Sequence, residues 1–272
     1  MMTIGGLAHI LMIVASLIIS IAFVIIIKFV GRKAQDIIIY VLTAICVSGI
    51  FYLHGTRYLT TFDLKNLATQ MLQVCNFNFI LLPLCLFKRF EVARQYLFYF
   101  SMPMALSTFV SYPSDVANSM WYSNVCLTFW INHFLIALIP ILMIATGRFK
   151  PRTDYVWKVA ICVFMYFGIA FIGNYILNGF EIYGSHNHSY TMGADGIMLL
   201  IPLFKLIPIP FVYLLPVLAA LGLVWWLVSL AFKKYKVEDG FGISFKRRKE
   251  KWYVLFIFYI SDRGYFRSVF CL

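Results

Sequence analysis

The chain of 272 residues has few charged side chains, and only 11 of its residues are acidic. Charged residues make up 12% of the sequence and hydrophobic residues 62%, which is far from the balance of a soluble globular domain. The motifs of common soluble catalysts are also missing, since there is no Walker loop, GxGxxG turn, HExxH helix or GxSxG elbow. These absences exclude the usual soluble chemistries and leave catalysis inside a membrane open.

Seven long apolar runs follow one another along the chain. A helix of about 20 residues, at roughly 1.5 Å per residue, spans a hydrocarbon core of about 30 Å. The runs therefore predict an all-α, polytopic transmembrane bundle over residues 1–232, with one span for each run. The predicted spans are 7–27, 37–53, 67–87, 96–112, 122–146, 155–177 and 211–232.

The net charge of +12 is distributed in a way that predicts membrane topology rather than a nucleic-acid partner. Lysine and arginine are concentrated after the first, third, fifth and seventh runs, and the opposite loops hold few of them. Because such an excess in short loops marks the cytoplasmic side, the pattern predicts an N-out, C-in orientation. The basic loop residues are Lys28, Arg32, Lys33, Lys88, Arg89, Arg94, Arg148, Lys150, Arg152, Lys158, Lys233, Lys234 and Lys236.

Residues 233–272 are predicted to form a basic cytoplasmic tail with a short aromatic segment at the membrane interface. The basic cluster at 246–251 is followed by nine apolar residues, 252–260, which are too few to cross a bilayer. At a membrane surface, each cation contributes about 1 kcal/mol against anionic lipid. Anionic lipid headgroups are therefore the predicted partner of the tail, although ribosome or RNA contact through the same charges stays open.

The longest outer segment, residues 178–210, contains two histidines and several prolines. His186 and His188 supply only two ligands, which is an incomplete metal site, so a solvated loop is favoured and no metal or cofactor is predicted. The apolar patch at 197–201 is followed by prolines and is expected to dip into the membrane without crossing it. Pro216 should kink the last span, or lie near its start if that span begins late.

Polar side chains within two of the predicted spans indicate a functional site, because such side chains are costly in a bilayer. Measured along helices from their outer ends, the thiol of the third span and the imidazole of the fifth reach similar depths, roughly 12 and 17 Å. They could meet in an outward-facing polar cavity, where the imidazole would take the proton of the thiol. The polar residues are Gln73, Cys75, Asn76 and Asn78 in the third span and Asn132 and His133 in the fifth.

Structural roles stay open for the same residues. Cysteine is a common small apolar residue in spans and buried thiols are usually inert, while asparagine and glutamine often bond across helices. A histidine near the midplane, such as His133, is rarer and is equally consistent with a functional role. His9 and His54 lie near the outer interface, where an imidazole is expected to reach water.

Several short motifs resemble the YwaF-like family of bacterial integral membrane proteins, over about residues 35–232. This resemblance implies a multi-pass protein of the bacterial cell membrane. Eukaryotic relatives of that family include a transmembrane acyltransferase that acts on phospholipids, with Cys and His proposed as catalytic. By position, the resemblance implies these roles for Cys75 and His133. The motifs are Gln73-Val74-Cys75-Asn76, Tyr112-Pro113-Ser114-Asp115, Asn132-His133-Phe134-Leu135, the loop 147–152, and Gly173-Asn174-Tyr175 with Asn178-Gly179.

Three hypotheses of function follow, and no oligomeric state is indicated. In the first, acyl groups move between membrane lipids: Cys75 carries the acyl group, His133 acts as the base, and amides bind the substrate and steady its oxyanion. In the second, the cavity binds or moves a small solute or lipid, with the proline-rich segment as a gate. In the third, the chain is a membrane-embedded partner of another protein. The substrate-binding amides of the first hypothesis are Gln73, Asn76, Asn78 and Asn132.

Overall fold

The computed structural model describes residues 6–55, 72–110, 116, 119–179, 187–194, 200–237 and 242–243. Within these ranges the chain is helical, and its only β contact is an isolated bridge between Phe87 and Ile243. The all-α prediction is therefore confirmed. The motif at 112–115, His186 and most of the tail 233–272 lie outside the described residues.

Nine α-helices are described, with one π-helix and three short 3-10 helices between them. We number the α-helices in chain order. They are α1 (Leu7–Phe29), α2 (Arg32–His54), α3 (Asn78–Cys85), α4 (Glu91–Tyr96), α5 (Met102–Ser107), α6 (Asn124–Ala145), α7 (Val156–Gly179), α8 (Leu200–Leu206) and α9 (Leu215–Ala231). The π-helix is Leu97–Ser101, and the 3-10 helices are Thr153–Tyr155, His188–Tyr190 and Val212–Leu214.

Five helical segments in the described residues are long and apolar enough to cross a membrane, so the chain is a multi-pass membrane protein. Each of them falls on a predicted span, and each consists almost entirely of residues that are stable in a bilayer. The five segments are Leu7–Phe29, Arg32–His54, Asn124–Ala145, Thr153–Gly179 and Val212–Ala231.

The proline in the last span lies at its start rather than at a kink. Pro216 occupies the first turn of α9, where the missing backbone N–H would have no helical partner in any case. The second of the two alternatives for Pro216 is therefore confirmed. Before it, the predicted dipping patch at 197–201 is described only from residue 200, where the short helix α8 begins.

The third predicted span is not one continuous helix over its described part, so that expectation is wrong for residues 72–77. These residues form successive turns, and α3 begins only at Asn78. The Asn78 side chain explains the break, because its Nδ2 donates to the Cys75 carbonyl at 3.0 Å and to the Val74 carbonyl at 3.4 Å. An asparagine that bonds to nearby backbone carbonyls offers the chain an alternative to the helical ladder.

The fourth predicted span is helical but irregular. It runs through α4, the π-helix and α5 without a gap, from Glu91 to Ser107. All five residues of the π-helix are buried, and Phe100 packs edge to face against Phe167 of α7 and Trp225 of α9. π-Helical turns are rare and occur mostly as single turns inside α-helices. Here, the π-helix lies in the core of the bundle.

The basic loops meet at one end of the bundle, which we call the basic end. The Arg148 guanidinium, in the turn after α6, donates from Nε to Asp36 of α2 at 2.8 Å and from Nη2 to the Arg32 carbonyl at 3.1 Å. The Lys150 ammonium donates to the carbonyl of Tyr235, after α9, at 3.0 Å. Loops that are distant in sequence therefore share one end of the fold.

Candidate functional site

At the opposite end, residues 72–77 form what we call the Cys75 turn. The backbone amides of Asn76 and Phe77 donate to the Gln73 carbonyl at 3.1 and 3.2 Å, which closes the turn. The turn lies between α2 on one side and α7 with residues 187–191 on the other, as its hydrogen bonds show. Three of the six predicted site residues, Gln73, Cys75 and Asn76, therefore lie in this turn, and a fourth, Asn78, follows it directly.

His54, the last residue of α2, holds one side of the Cys75 turn. Its side chain is only 6% exposed, and its Nε2 lies 2.9 Å from Asn76 Oδ1. Because an amide oxygen can only accept a hydrogen bond, the imidazole donates from Nε2. The expectation that His54 reaches water at the interface is wrong, since a partner in another segment satisfies the ring instead.

His188 holds the other side of the turn. Its Nδ1 lies 3.0 Å from Gln73 Nε2, and an amide nitrogen can only donate, so this ring nitrogen accepts. The Asn174 side chain of α7 fixes the backbone of His188 with two bonds: its Nδ2 donates to the His188 carbonyl at 2.9 Å, and its Oδ1 accepts from the His188 amide at 3.0 Å. His188 is buried, so the interpretation of this residue as part of a solvated loop is wrong.

The carbonyl of Leu72 is a third anchor of the turn. It accepts hydrogen bonds from the Tyr166 hydroxyl at 2.5 Å and from Ser189 Oγ at 2.6 Å. Ser189 and Tyr190 both have positive φ, 56° and 58°, a conformation that costs free energy for residues other than glycine. The Tyr213 hydroxyl donates to the Tyr190 carbonyl and helps to hold that backbone.

The Cys75 thiol is half-buried among three neighbouring groups rather than open to the outside. It lies close enough for electrostatic interaction with Cys46 of α2, Tyr166 of α7 and Tyr190. Burial raises the pKa of Tyr190, and negative charge on Cys75 raises it further. The Tyr190 phenol, with its raised pKa, therefore stays protonated at neutral pH beside the Cys75 thiol.

Asn132 and His133 lie on α6, and the structure connects only the first of them to the Cys75 turn. The Cys46 thiol, a neighbour of Cys75, donates to the Asn132 carbonyl at 3.6 Å. No interaction between the Cys75 thiol and the His133 ring is recorded among the described residues. The pairing of this thiol with this imidazole therefore stays a prediction.

The His133 ring is buried and has a defined tautomer. Its Nδ1 lies 2.7 Å from the Phe129 carbonyl, and the centroids of the His133 and Phe129 rings are 4.1 Å apart, with the rings tilted by 37°. Because a carbonyl only accepts, Nδ1 carries the proton and Nε2 of the neutral ring has a lone pair. No hydrogen-bond partner of Nε2 is found in the part of the chain that is described, so this nitrogen is the one that can act as a base.

Asn132 packs closely against α2. Its Oδ1 is buried without a hydrogen-bond partner among the described residues, and it points at Gly49, where an added Cβ would lie 2.3 Å away. A buried amide oxygen with no partner costs free energy in a packed interior. This oxygen is thus either a packing contact of α2 with α6 or a group that awaits a ligand.

Two cavities are lined by described residues, and neither Cys75 nor His133 is among the residues that line them. One is an apolar groove between α1 and α2, and the other lies at the basic end. No group of three or more His, Cys, Asp or Glu side chains that could hold a metal is found among the described residues.

Sequence reasoning missed the two imidazoles and the amide that hold the turn, namely His54, His188 and Asn174. Their partners are 14 to 115 residues away along the chain, so local pattern carries no direct sign of them. The available signal was the number of polar side chains in apolar runs. Gln73, Asn76 and Asn174 each need a buried partner, and histidines near the ends of neighbouring runs are suitable ones.

Comparison with known families gives a match over most of the chain. The model of the TMEM164 family matches residues 4–229, which includes the Cys75 turn, α6 and α7. No curated protein matches, and no solved structure matches.

Proposed function

The chain belongs to the TMEM164 family, and from this premise we propose that it transfers acyl groups between membrane lipids through Cys75. The observation that carries this proposal is the Cys75 turn itself. At bilayer depth, non-helical backbone is tolerated only where protein buries it or where it lines a polar cavity. Side chains from α2, α7 and residues 187–191 hold this turn, so its thiol has a defined position on a rigid support.

The proposed reaction has two steps that share one thioester. The Cys75 proton moves to Nε2 of His133, and the thiolate attacks the ester carbonyl of a donor lipid. The bond between the carbonyl carbon and the glycerol oxygen breaks, and that oxygen takes the proton from His133. In the second step, the hydroxyl of an acceptor lipid gives its proton to His133 and attacks the thioester. The carbon–sulfur bond then breaks, and the thiolate regains the proton.

The amides have separate roles in this proposal. Asn132 binds the substrate, since its side chain is buried and its backbone carbonyl accepts from Cys46, a neighbour of Cys75. Gln73 and Asn76 support the substrate site indirectly, because their side chains bond to His188 and His54. Asn78 supports it by bonding the carbonyls of the turn. The proposal requires the His133 ring to come within hydrogen-bonding distance of the thiol when lipid is bound.

Lipid exchange by the purified protein tests the proposal. Labelled phospholipid and an unlabelled lysophospholipid are incubated with the protein in nanodiscs, and labelled product is measured. We expect His133→Ala and Cys75→Ser to abolish exchange and Cys162→Ser, which alters another half-buried thiol on α7, to retain it. A hydroxylamine-sensitive acyl group should be found on Cys75 by mass spectrometry. Unchanged exchange in both site variants would falsify the catalytic pairing.

Binding without chemistry is the second candidate, and Asn132 is the observation that favours it. Its unpartnered buried oxygen could bind a solute or lipid headgroup without any acyl step. In that case, ligand would raise the unfolding temperature of the wild type and of Cys75→Ser equally, and no acyl group would be found on the protein. Acyl transfer and simple binding are thus separated by one pair of measurements.

We also propose that the chain crosses a bacterial cell membrane seven times, N-out and C-in, with the basic tail on anionic lipid headgroups. This topology is supported by the contacts at the two ends. Arg148, Lys150 and Tyr235 are joined at the basic end, whereas His54 is bonded to the Cys75 turn and His9 of α1 to the Phe109 carbonyl after α5. In this proposal, residues 72–85 form one crossing and residues 91–107 form another.

Cysteine labelling tests this topology in intact cells. Tyr122→Cys and Lys233→Cys are introduced, and a membrane-impermeant maleimide is added before or after permeabilisation. We expect labelling at position 122 in intact cells and labelling at position 233 only after permeabilisation. The reverse pattern would overturn the orientation. Equal labelling of both positions in intact cells would place them on the same side of the membrane, which contradicts an odd number of crossings between them.

A further inference from the structure

The basic end contains a polar cavity that is separate from the Cys75 turn. It has a volume of about 430 Å³ and lies between the last turn of α1, the first turn of α2, the turn after α6 and the segment after α9. Three cationic side chains line it, Lys28, Arg32 and Lys236, and Gln35 and Thr146 add neutral polar groups. No Asp or Glu is among its described lining residues, so the cavity concentrates positive charge.

Neighbouring carboxylates do not neutralise the two lysines of this cavity. Within the described ranges, no carboxylate lies within 4.0 Å of the Lys28 or the Lys236 ammonium. The nearest acid in sequence, Asp36, is already bonded at 2.8 Å by the Arg148 guanidinium. An anionic ligand would therefore meet these lysines without displacing an ion pair made by the described residues.

Hydrogen bonds between segments hold the walls of the cavity in place. Gln35 Nε2 of α2 donates to the Ile27 carbonyl of α1 at 2.9 Å, and this bond fixes the first two helices relative to each other. The Tyr235 hydroxyl donates to the Ile144 carbonyl, and the Tyr235 carbonyl accepts from Lys150. The lysines thus extend from a preorganised frame rather than from a disconnected surface.

An apolar groove lies next to the cavity on the same pair of helices. It has a volume of about 170 Å³ and is lined only by apolar side chains of α1 and α2, from Ile19 and Ala22 to Ile27 and Ile38. Ile27 of the groove immediately precedes Lys28 of the cavity, and the Ile27 carbonyl is the acceptor of Gln35. The two spaces therefore lie near each other at the end of α1.

We propose that the cavity binds the phosphate of an anionic membrane phospholipid and that the adjacent groove holds one of its acyl chains. Lysine and arginine bind phosphate through charge-assisted hydrogen bonds, and the groove matches an alkyl chain at the point where the bilayer begins. A free phosphate ion could use the cations, but it would leave the groove without a role. This proposal does not depend on acyl transfer at Cys75, which lies at the other end of the bundle.

Lipid titration of the full chain in a neutral detergent tests this site. Phosphatidylglycerol, phosphatidylcholine and inorganic phosphate are added separately, and bound lipid is counted by native mass spectrometry. We expect phosphatidylglycerol to bind the wild type most tightly and Lys28→Gln/Lys236→Gln to weaken that binding at least tenfold, since each cation contributes to headgroup affinity. Lys33→Gln/Lys88→Gln is the matched control, because these lysines are exposed, do not line the cavity and lie outside the basic tail.

A second pair of variants tests the groove without changing charge. Ala22→Phe fills the groove, whereas Ile21→Phe adds a ring at an adjacent, 51% exposed position of α1. We expect weaker phosphatidylglycerol binding in the first variant only. Equal losses in both lysine pairs would overturn the cavity as the site, because they indicate nonspecific charge. If inorganic phosphate competes fully and Ala22→Phe binds lipid normally, the ligand is free phosphate and the lipid assignment is wrong.

Discussion

The two ends of the bundle accommodate polar side chains in opposite ways. At the end with the Cys75 turn, neutral amides and imidazoles are buried and bonded to one another, and residues 72–77 and 187–194 include no Asp, Glu, Lys or Arg. Among the described cations of the basic end, most are exposed, and only Arg148 and Arg94 are deeply buried. A neutral network can be closed off from water at moderate cost, whereas charge must stay hydrated or paired. The difference places a rigid, preorganised turn at one end and a ligand-accessible cationic surface at the other.

The largest expected loss of stability comes from the buried cation of the basic end. Arg148 is only 4% exposed and bonds Asp36, the Thr146 carbonyl and the Arg32 carbonyl. Arg148→Met should lower the free energy of unfolding by about 3 kcal/mol, at the lower end of the range for a broken buried pair, since Asp36 keeps some contact with water. Denaturation of the purified protein in detergent, followed by tryptophan fluorescence, measures this change.

The matched control for Arg148 is an exposed arginine of the same end. Arg152 pairs with Asp154 at 2.6 Å, but both side chains are largely in solvent, and such pairs contribute about 0–1 kcal/mol. Arg152→Met should therefore change the free energy of unfolding little. Equal losses in Arg148→Met and Arg152→Met would contradict the distinction between buried and exposed charge at this end.

A somewhat smaller loss is expected when the neutral network is broken at Asn174. This side chain is fully buried and makes three hydrogen bonds, two with the His188 backbone and one with Thr191 Oγ1. Asn174→Ala should cost about 2.5 kcal/mol, because it leaves buried backbone groups without partners. The exposed Asn124→Ala is the control and should cost less than about 0.5 kcal/mol. Similar small effects in both variants would indicate that water enters this end and replaces the lost bonds.

Apolar run length predicted the long helices, because a bilayer requires about 20 apolar residues per helical crossing. Residues 7–29 and 124–145 are therefore found as expected. Run length could not predict the break at 72–77. An apolar run has the same length whether its backbone groups form helical hydrogen bonds or bond to side chains of other segments. The break depends on Asn78 within the run and on His54 and Ser189 far from it.

The candidate site was predictable in composition but not in arrangement. The amides of the third run indicated that polar partners lie near Cys75, because an amide inside a membrane needs a partner. The choice of partner depends on long-range packing, which placed His54 and His188 beside the turn. Depth along ideal helices suggested His133 instead, but that estimate assumed a regular helix at Cys75, and the chain is not helical there.

A smaller loss than those of Arg148→Met and Asn174→Ala is expected where α2 and α6 touch. A Cβ added at Gly49 would lie 2.3 Å from Asn132 Oδ1, so Gly49→Ala should lower the free energy of unfolding by about 2 kcal/mol through overpacking. Gly168 in α7 has nothing within 4 Å of the same position, and Gly168→Ala should stabilise the protein by about 0.5–1 kcal/mol, since alanine restricts the unfolded chain.

The double variant Gly49→Ala/Asn132→Ala shows whether this contact is only packing. If Asn132 serves α2–α6 packing alone, the two losses should be strongly non-additive, because Asn132→Ala removes the amide with which the Cβ added by Gly49→Ala clashes. If Asn132 binds a ligand, Asn132→Ala should still offset the loss of stability caused by Gly49→Ala. It should also abolish lipid binding or exchange, both alone and combined with Gly49→Ala. Gly49→Ala with Asn132 intact would then lose function as well, since the amide must turn away from its position beside Gly49. Additive losses of stability would refute the close approach itself, and with it the rigid support that the neutral end is argued to provide.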